Sequence, residues 1–515
     1  MLLTPLLRVI PLLLSLSFFR VSAQPSLDQH QQQLLSDRLW QTTLRGPRWT
    51  GNDNQNTLTS LVTNSMKLAG LDVATLNYTL NRWDPQWWSL SIALTNGTTL
   101  GVRTTGYWPY SGNSGLEGVT APVIDSGTLG LLPNQNVDPN SLSIPAVPPA
   151  GAIMFFDNPS PTHNYSQPGY GLLGTSRNIR ASAIPELGNL TNPHWQATKT
   201  LNFTSLRAMG IRAAISSWVH TSDEDAALQF LPNDGPVGGD NALYDVPTLY
   251  VGNSTGEMIR GLIRENQIVS ATVVLYAPSY SAPTQTVLGH LSGTANTTDT
   301  IIIYTHSDGP SIVEENGPII LLAMAEYFAQ HIPTINLDFV ITTGHFSGHR
   351  LNESLWMEQR PDIVANAKFA IACEHFGAME WKDQVSANKS TPPVYKATGK
   401  LEPMWTMANE SKASDELHQL YLSAFAGTPD TLRMALIAPL RLNGTRSMWY
   451  GVGGASELGH SNIPTIGIIP QPDYLWTSMV DGGWSKLDIP TVVTQINVIL
   501  RLVSSLDARY AAGTL

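Results

Sequence analysis

The chain has 515 residues, 42% of them hydrophobic and 13% charged, with a formal net charge of −11. That apolar share excludes a long disordered polyelectrolyte, and a negative balance without any long like-charge run excludes a nucleic-acid backbone as the main partner. The single cysteine, Cys373, excludes an intramolecular disulfide; the fold must rest on burial, with Cys373 read as a small buried apolar residue.

The first residues read as an export signal. Arg8 precedes an apolar run from Val9 to Phe19, and Val21-Ser22-Ala23 offers a small-x-small cleavage site. The run is too short to span a bilayer comfortably. Residues 1–23 are therefore expected to be a signal peptide, with the mature protein starting near Gln24 and secreted without a membrane segment. Sequons for N-glycosylation at Asn77, Asn96, Asn164, Asn189, Asn202, Asn253, Asn296, Asn352, Asn388, Asn409 and Asn443 agree with that route.

Along the chain, a helix is expected over 57–68, where Leu58, Leu61, Val62 and Met66 share one side and Gly70 caps the end. Residues 83–94 read as a strand, with Trp87, Ser89 and Ser91 alternating against larger apolar residues. Trp83, Trp87 and Trp88 read as core or interface packing. From about Gly118, short β runs at 121–124 and 151–157 alternate with Pro/Asn/Ser-rich connections. A helix over 205–210, a strand over 213–216, a strand over 246–251 and a helix over 256–262 complete a small α/β unit. From about Gln285 the runs 287–291, 300–304 and 337–341 are β-branched and of buried-strand type, with an apolar helix over 318–329 between two of them. This alternation predicts an α/β class, a mostly parallel sheet flanked by helices. A last helix over 492–506 would pack on that sheet.

Ligand-binding groups in such sheets gather at the carboxyl ends of the strands. The 301–304 run ends in Thr305-His306-Ser307-Asp308-Gly309, and the 339–342 run ends in Thr343-Gly344-His345-Phe346-Ser347-Gly348-His349. The 369–372 run ends in Cys373-Glu374-His375-Phe376-Gly377, and the 465–469 run follows Ser456-Glu457-Leu458-Gly459-His460. Histidines and carboxylates thus stand at the mouths of four strands. Ser347 is not in the G-x-S-x-G setting of a nucleophile elbow, and no Walker A, H-E-x-x-H or Rossmann glycine pattern is present.

In this order the segments resemble the zinc exopeptidases of the M28 family, the aminopeptidase and carboxypeptidase Q type. Val287-Leu288-Gly289-His290-Leu291-Ser292-Gly293 resembles the strand opening the catalytic domain, and His306-Ser307-Asp308 the family's H-x-D. Glu315-Asn316-Gly317 sits where the family has D-N, Glu374-His375-Phe376-Gly377 where a metal-binding Asp opens D-x-x-G, and Ile463-Pro464-Thr465-Ile466-Gly467 resembles its G-I-P strand. The texture of residues 120–270 resembles the protease-associated domain often inserted there. The resemblance implies that 24–118 is the N-terminal part of the peptidase-like domain, 119–280 a protease-associated-like domain and 281–515 the catalytic domain. It also implies one or two zinc ions held by His306, Glu315, Glu374 and His460, with Asp308 orienting His306.

The departures from the family pattern bear on the chemistry. The adjacent glutamates, one a base and one a zinc ligand, are replaced by the stretch Gly344-His345-Phe346-Ser347-Gly348. Both metal-binding aspartates appear as glutamate, the final S-D-H reads Ser456-Glu457-Leu458-Gly459-His460, and the H-T near the specificity loop reads Trp476-Thr477. His345 then stands where the base belongs, since a neutral imidazole has a suitable pKa. Alternatively His345 and His349, four apart, supply metal ligands if that turn is helical. Glu314 and Glu315 also suit a helix N-terminus, and His375 reads as structural or pocket-lining. The expected function is a secreted metal-dependent hydrolase acting on a peptide or small-molecule amide. The alternatives are a non-catalytic pseudo-peptidase, or a lyase, cyclase or esterase acting on a secreted small molecule.

Overall fold

The computed structural model describes residues 24–131, 137–138, 141–159, 162–163, 170–175, 190–191, 203–219, 221–228, 236, 241–384, 393–402, 404–408, 412–432, 434–439, 463–470, 472 and 474–514. Its largest layer is a nine-stranded sheet. At the centre, Thr300–His306 lies between Asn336–Thr342 and Ala367–Cys373, parallel to both, and Thr465–Ile469 continues the parallel run beside Ala367–Cys373. Toward one edge, Ser279–Leu291 and Asp72–Trp83 are added antiparallel; toward the other, Met404–Ala408 is antiparallel to Thr465–Ile469. The sheet is therefore mixed, with its parallel part where the chemistry-bearing strand ends fall.

The centre is buried because its sequence leaves no polar face. Every residue of Thr300–His306 and of Asn336–Thr342 is buried, the pattern of strands covered on both sides by helices. Gly317–Gln330, with proline in its first turn, is one cover and is buried almost throughout. Ile489–Ala511 begins at Asp488, whose carboxylate caps the Thr491 N–H at 2.9 Å, and packs Val492, Ile496, Ile499, Val503 and Leu506 into the same core. Asp53–Leu68 starts at the cap Asn52 and buries Leu58, Val62 and Met66 against it, four residues longer at its start than the apolar spacing alone suggests.

Of the stretch read as one strand over 83–94, Trp87–Leu94 forms a strand and Trp83 is the last residue of another. Asp72–Trp83 pairs with Ser279–Leu291 in the large sheet, whereas Trp87–Leu94 pairs with Ile268–Tyr276 in another. Pro85 sits between them, flanked by bonds from the Asp84 N–H to the Pro278 carbonyl and from the Gln86 N–H to the Tyr276 carbonyl, both at 2.9 Å, so the two paired segments pass together from one sheet into the other. Trp83 is core and Trp88 packs edge-on against Tyr107, but Trp87 is 58% exposed, so it is not part of that packing.

Two smaller sheets complete the molecule. A four-stranded antiparallel sheet uses Trp87–Leu94, Thr99–Val102, Gly115–Ala121 and Ile268–Tyr276. A five-stranded sheet has a parallel centre of Val123–Thr128, Ala152–Pro159, Ile211–Val219 and Thr248–Val251. Leu90, Ile92, Val273, Ile153, Phe155 and Ile215 form one core between the two. These layers draw on residues from Trp87 onward, ahead of the boundary near residue 119 that the sequence suggests.

Candidate metal centre

Three neighbouring strands deliver the polar groups. Thr300–His306 ends on His306 itself, Ala367–Cys373 is followed by Glu374, and Asn336–Thr342 is followed by a turn bearing His345. The Gly309–Glu315 stretch rises from the first of these strands and adds Glu314 and Glu315 just before the helix Gly317–Gln330. Parallel register brings the ends level: Tyr304 is opposite both Val340 and Ala372.

His306 is fully buried, and its Nδ1 donates to the Asp308 backbone carbonyl at 2.8 Å. That bond fixes the tautomer and leaves Nε2 facing the acids, 3.1 Å from Glu315 Oε2 and 3.6 Å from Glu374 Oε2. Ligand atoms of His306, Glu315 and Glu374 all lie within 4.8 Å of one another, and so do those of a second set, His306, Glu314 and His345. The His306 and His345 rings stack with centroids 4.1 Å apart. With Nδ1 engaged, the one remaining lone pair of His306 serves a single ion at a time.

Room for the acids comes from two glycines. A Cβ on Gly317 would fall 1.8 Å from Thr305 Oγ1 and 2.4 Å from Glu315 Oε1, the pair that hydrogen-bond at 3.0 Å. A Cβ on Gly309 would meet Glu314 Oε2 at 2.1 Å and Glu315 Cβ at 2.8 Å. Both positions exclude any side chain in order to admit the carboxylates.

Asp308 acts differently from the expected carboxylate partner of His306. Its backbone carbonyl, not its side chain, holds the imidazole; its Oδ1 is 3.9 Å from Nδ1. The carboxylate instead accepts from the Thr50 hydroxyl and from the Phe346 N–H at 2.9 Å, and so fixes the turn that carries His345. His349 is not a partner of His345: residues 345–350 form turns and bends rather than a helix, and His349 has φ 63° and is exposed. Left-handed backbone at Gly344, Gly348 and His349 breaks the i, i+4 relation. His375 is buried, its Nδ1 donates to the Pro470 carbonyl at 2.8 Å, and its Nε2 is 3.7 Å from Glu374 and 3.9 Å from Glu314. His460 and the rest of its motif lie outside the described residues.

Several members of the site carry no sequence signature. Glu353, ten residues past Thr343, accepts from the Tyr304 hydroxyl at 2.5 Å and the Thr342 hydroxyl at 2.8 Å, and its Oε2 is 3.2 Å from His345 Nδ1. From the N-terminal segment, Gln55 donates to Ser307 Oγ at 2.9 Å and Thr343 Oγ1 at 2.7 Å, and Arg48 reaches the Glu315 turn. Only their tertiary placement marks them.

The electrostatics are those of acids crowded into a dry place. Burial pushes Glu314 up to about 8 and Glu315 well above the usual carboxylate range. Burial opposes protonation of His306, but Glu315 and Glu374 outweigh it and hold its pKa well above the ordinary value. Burial would raise Glu353, yet the neighbouring His345 brings it down to about 2. Burial lowers His375 to about 4, so it is neutral. His306 Nε2, Glu314 Oε2, Glu315 Oε2, Glu374 Oε1 and His375 Nε2 make no aligned hydrogen bond with a described residue. Buried polar atoms left in this condition are costly, and a cation among them would satisfy several at once. One imidazole nitrogen with carboxylate oxygens is a donor set zinc accepts. The residues fit the ion.

No protein-family model matches the sequence, and no curated protein matches it. Solved structures do. The chain is similar to an aminopeptidase from Aneurinibacillus sp. strain AM-1, at 15% identity and a TM-score of 0.53 over 92% of this chain and 95% of that one. It is similar to BSAP, a zinc aminopeptidase from Bacillus subtilis, at 14% identity and a TM-score of 0.57 over 93% and 94% of the two chains. A Peptidase M28 precursor from Shewanella amazonensis SB2B matches at 12% identity and a TM-score of 0.57 over 93% and 97%. The chain has the fold of the M28-type zinc exopeptidases.

Proposed function

We propose that the protein is a secreted, zinc-dependent hydrolase of the exopeptidase kind, releasing terminal residues from peptide or amide substrates. The observation that carries this reading is the meeting of His306, Glu315 and Glu374, from separate stretches of chain, with ligand atoms within 4.8 Å. Its setting is a fold shared with zinc aminopeptidases. Zinc bound there would polarise a substrate carbonyl and acidify a water. The chain's own groups do the remaining work. Glu314, with a pKa of about 8, suits proton transfer near neutral pH. His345 is 21% exposed while His306 and Glu374 are 0% and 2%, so substrate would approach from its side. Glu353 steadies His345 through Nδ1.

Export rests on the sequence of residues 1–23, which lie outside the described residues. Among the described sequons, Asn77, Asn96, Asn296 and Asn352 are exposed and Asn253 is half-buried, which supports a glycoprotein; Asn164, Asn189, Asn202, Asn388, Asn409 and Asn443 lie outside. The two smaller sheets support the reading of an inserted protease-associated-like unit.

A second reading, a diverged member without peptidase activity, is favoured by Gly344-His345 standing where the family has adjacent glutamates. Metal analysis after purification without chelator, combined with release of the N-terminal residue from unblocked peptides, separates the two. The hydrolase reading expects at least about one zinc per chain and turnover that a chelator abolishes. Metal-free protein without turnover supports the pseudo-peptidase, and turnover indifferent to chelator supports a different chemistry.

A further inference from the structure

Arg48 precedes the helix Asp53–Leu68 and is 1% exposed. Its backbone pairs with Gly309 in both directions at 2.9 Å. Its Nη2 donates to the carbonyl of Ser311 at 2.6 Å and to that of Glu315 at 2.7 Å. The guanidinium thus grips both ends of the turn bearing Glu314 and Glu315. Glu315, Glu314 and Asp308 are the charges that act on it against the cost of its burial. Among the described residues it forms no direct ion pair with any of them.

That distinction decides what Arg48 does. An arginine forked onto the carboxylates would occupy the oxygens a metal needs. One bonded to the carbonyls behind them offsets their charge and leaves those oxygens open. We propose that Arg48 is the counter-charge of the metal-free centre, a positioning residue that keeps Glu314 and Glu315 together with their ligand atoms uncommitted until a divalent cation takes over that role. The inference rests on the metal reading above. Once a doubly charged ion sits among the acids, it provides the compensation itself and repels the guanidinium, so Arg48 stabilises the metal-free protein more than the loaded one.

The test compares thermal melting of the full chain, wild type, Arg48→Lys and Arg48→Gln, each with a chelator and with excess zinc, at an alkaline pH where Glu314 carries its charge. In chelator, Arg48→Gln is expected to melt about 5 to 10 °C below wild type, with zinc recovering more than half of that loss. Arg48→Lys keeps the charge but not the two-carbonyl fork, and is expected to lose less. An equal deficit with and without zinc would make Arg48 a plain backbone clamp and overturn the proposal, as would no deficit at all. Should Arg48→Gln fail to fold in both conditions, Arg48→Lys decides by the same comparison. A wild type whose melting ignores zinc would remove the metal reading itself, an outcome distinct from either.

Discussion

Replacing Glu315 by glutamine is expected to weaken zinc binding by about 100-fold or more and to remove chelator-sensitive turnover. Residues that merely support a metal ligand typically cost 10–100-fold when changed, and Glu315 offers a ligand atom directly. Its Oε2 is 3.1 Å from His306 Nε2, and its Oε1 is held by the Thr305 hydroxyl at 3.0 Å. Thr305 in turn donates to the Cys373 carbonyl at 3.0 Å, tying Glu315 to the strand that ends at Glu374. Glutamine preserves the volume, so the helix Gly317–Gln330 and the core should survive. The metal-free variant should even gain stability, because a buried carboxylate whose pKa lies well above the usual range is better off neutral. Zinc titration against a competing chromophoric chelator checks the first effect, and melting in chelator the second. Unchanged zinc affinity would place the metal elsewhere.

The same carboxylates set the pH dependence of the metal-free protein. Glu314 has a folded pKa of about 8 against an ordinary 4.5, and Glu315 is shifted in the same direction. The folded state therefore binds more protons than the unfolded one between those values, and stability rises as pH falls from about 8 toward 4.5. His375, at about 4 against 6.5, works the other way below pH 6.5, one group against two. Glu353 is held at about 2. Its contribution is present above pH 4.5 and is lost as pH falls through 4.5 toward 2. Metal-free protein should therefore melt highest near pH 5, by about 5 °C or more over its value at pH 8. Zinc needs its ligands deprotonated, so the gain in melting temperature on adding zinc should widen from pH 5 to pH 8. Calorimetry at both pH values in chelator checks this. A metal-free melting temperature that climbs toward pH 8 contradicts the account of the buried acids.

What the amino-acid sequence discloses about this molecule follows the reach of each signal. Ile301-Ile302-Ile303-Tyr304 and Leu337-Asp338-Phe339-Val340-Ile341 declare buried strands locally, because a sheet covered on both faces tolerates little else. Once such strands are placed, His306 at the end of Thr300–His306 and Glu374 after Ala367–Cys373 follow, since strand ends inherit their position from the strands; Glu315, in the turn before the helix Gly317–Gln330, is legible only through the family resemblance. The stretch 83–94 shows the limit in the fold: apolar alternation runs straight through it, but Trp83 ends a strand of the large sheet and only Trp87–Leu94 forms the next, in a different sheet, a change of partner that no local pattern marks. His345 and His349 show it in the site, where spacing of four implies a shared face only if the backbone is helical, and Gly344 with φ 110° ends that. Arg48 and Glu353 were out of reach for another reason. A buried arginine and a lone glutamate look like solvated charges until the chain folds Gly309 against one and His345 against the other. Asp308 was anticipated at the right place with the wrong atom, because a backbone carbonyl has no signature in the side-chain code.

The central claim is that one cation sits among His306 and Glu374, at two neighbouring strand ends, and Glu315, in the turn before the helix Gly317–Gln330. Anomalous diffraction at the zinc edge, from crystals of the zinc-loaded full chain, tests it without recourse to activity. The account predicts a peak about 2.0–2.2 Å from His306 Nε2 and from a carboxylate oxygen of both Glu315 and Glu374. A peak bound to other residues, or no peak from protein soaked in zinc, would contradict it.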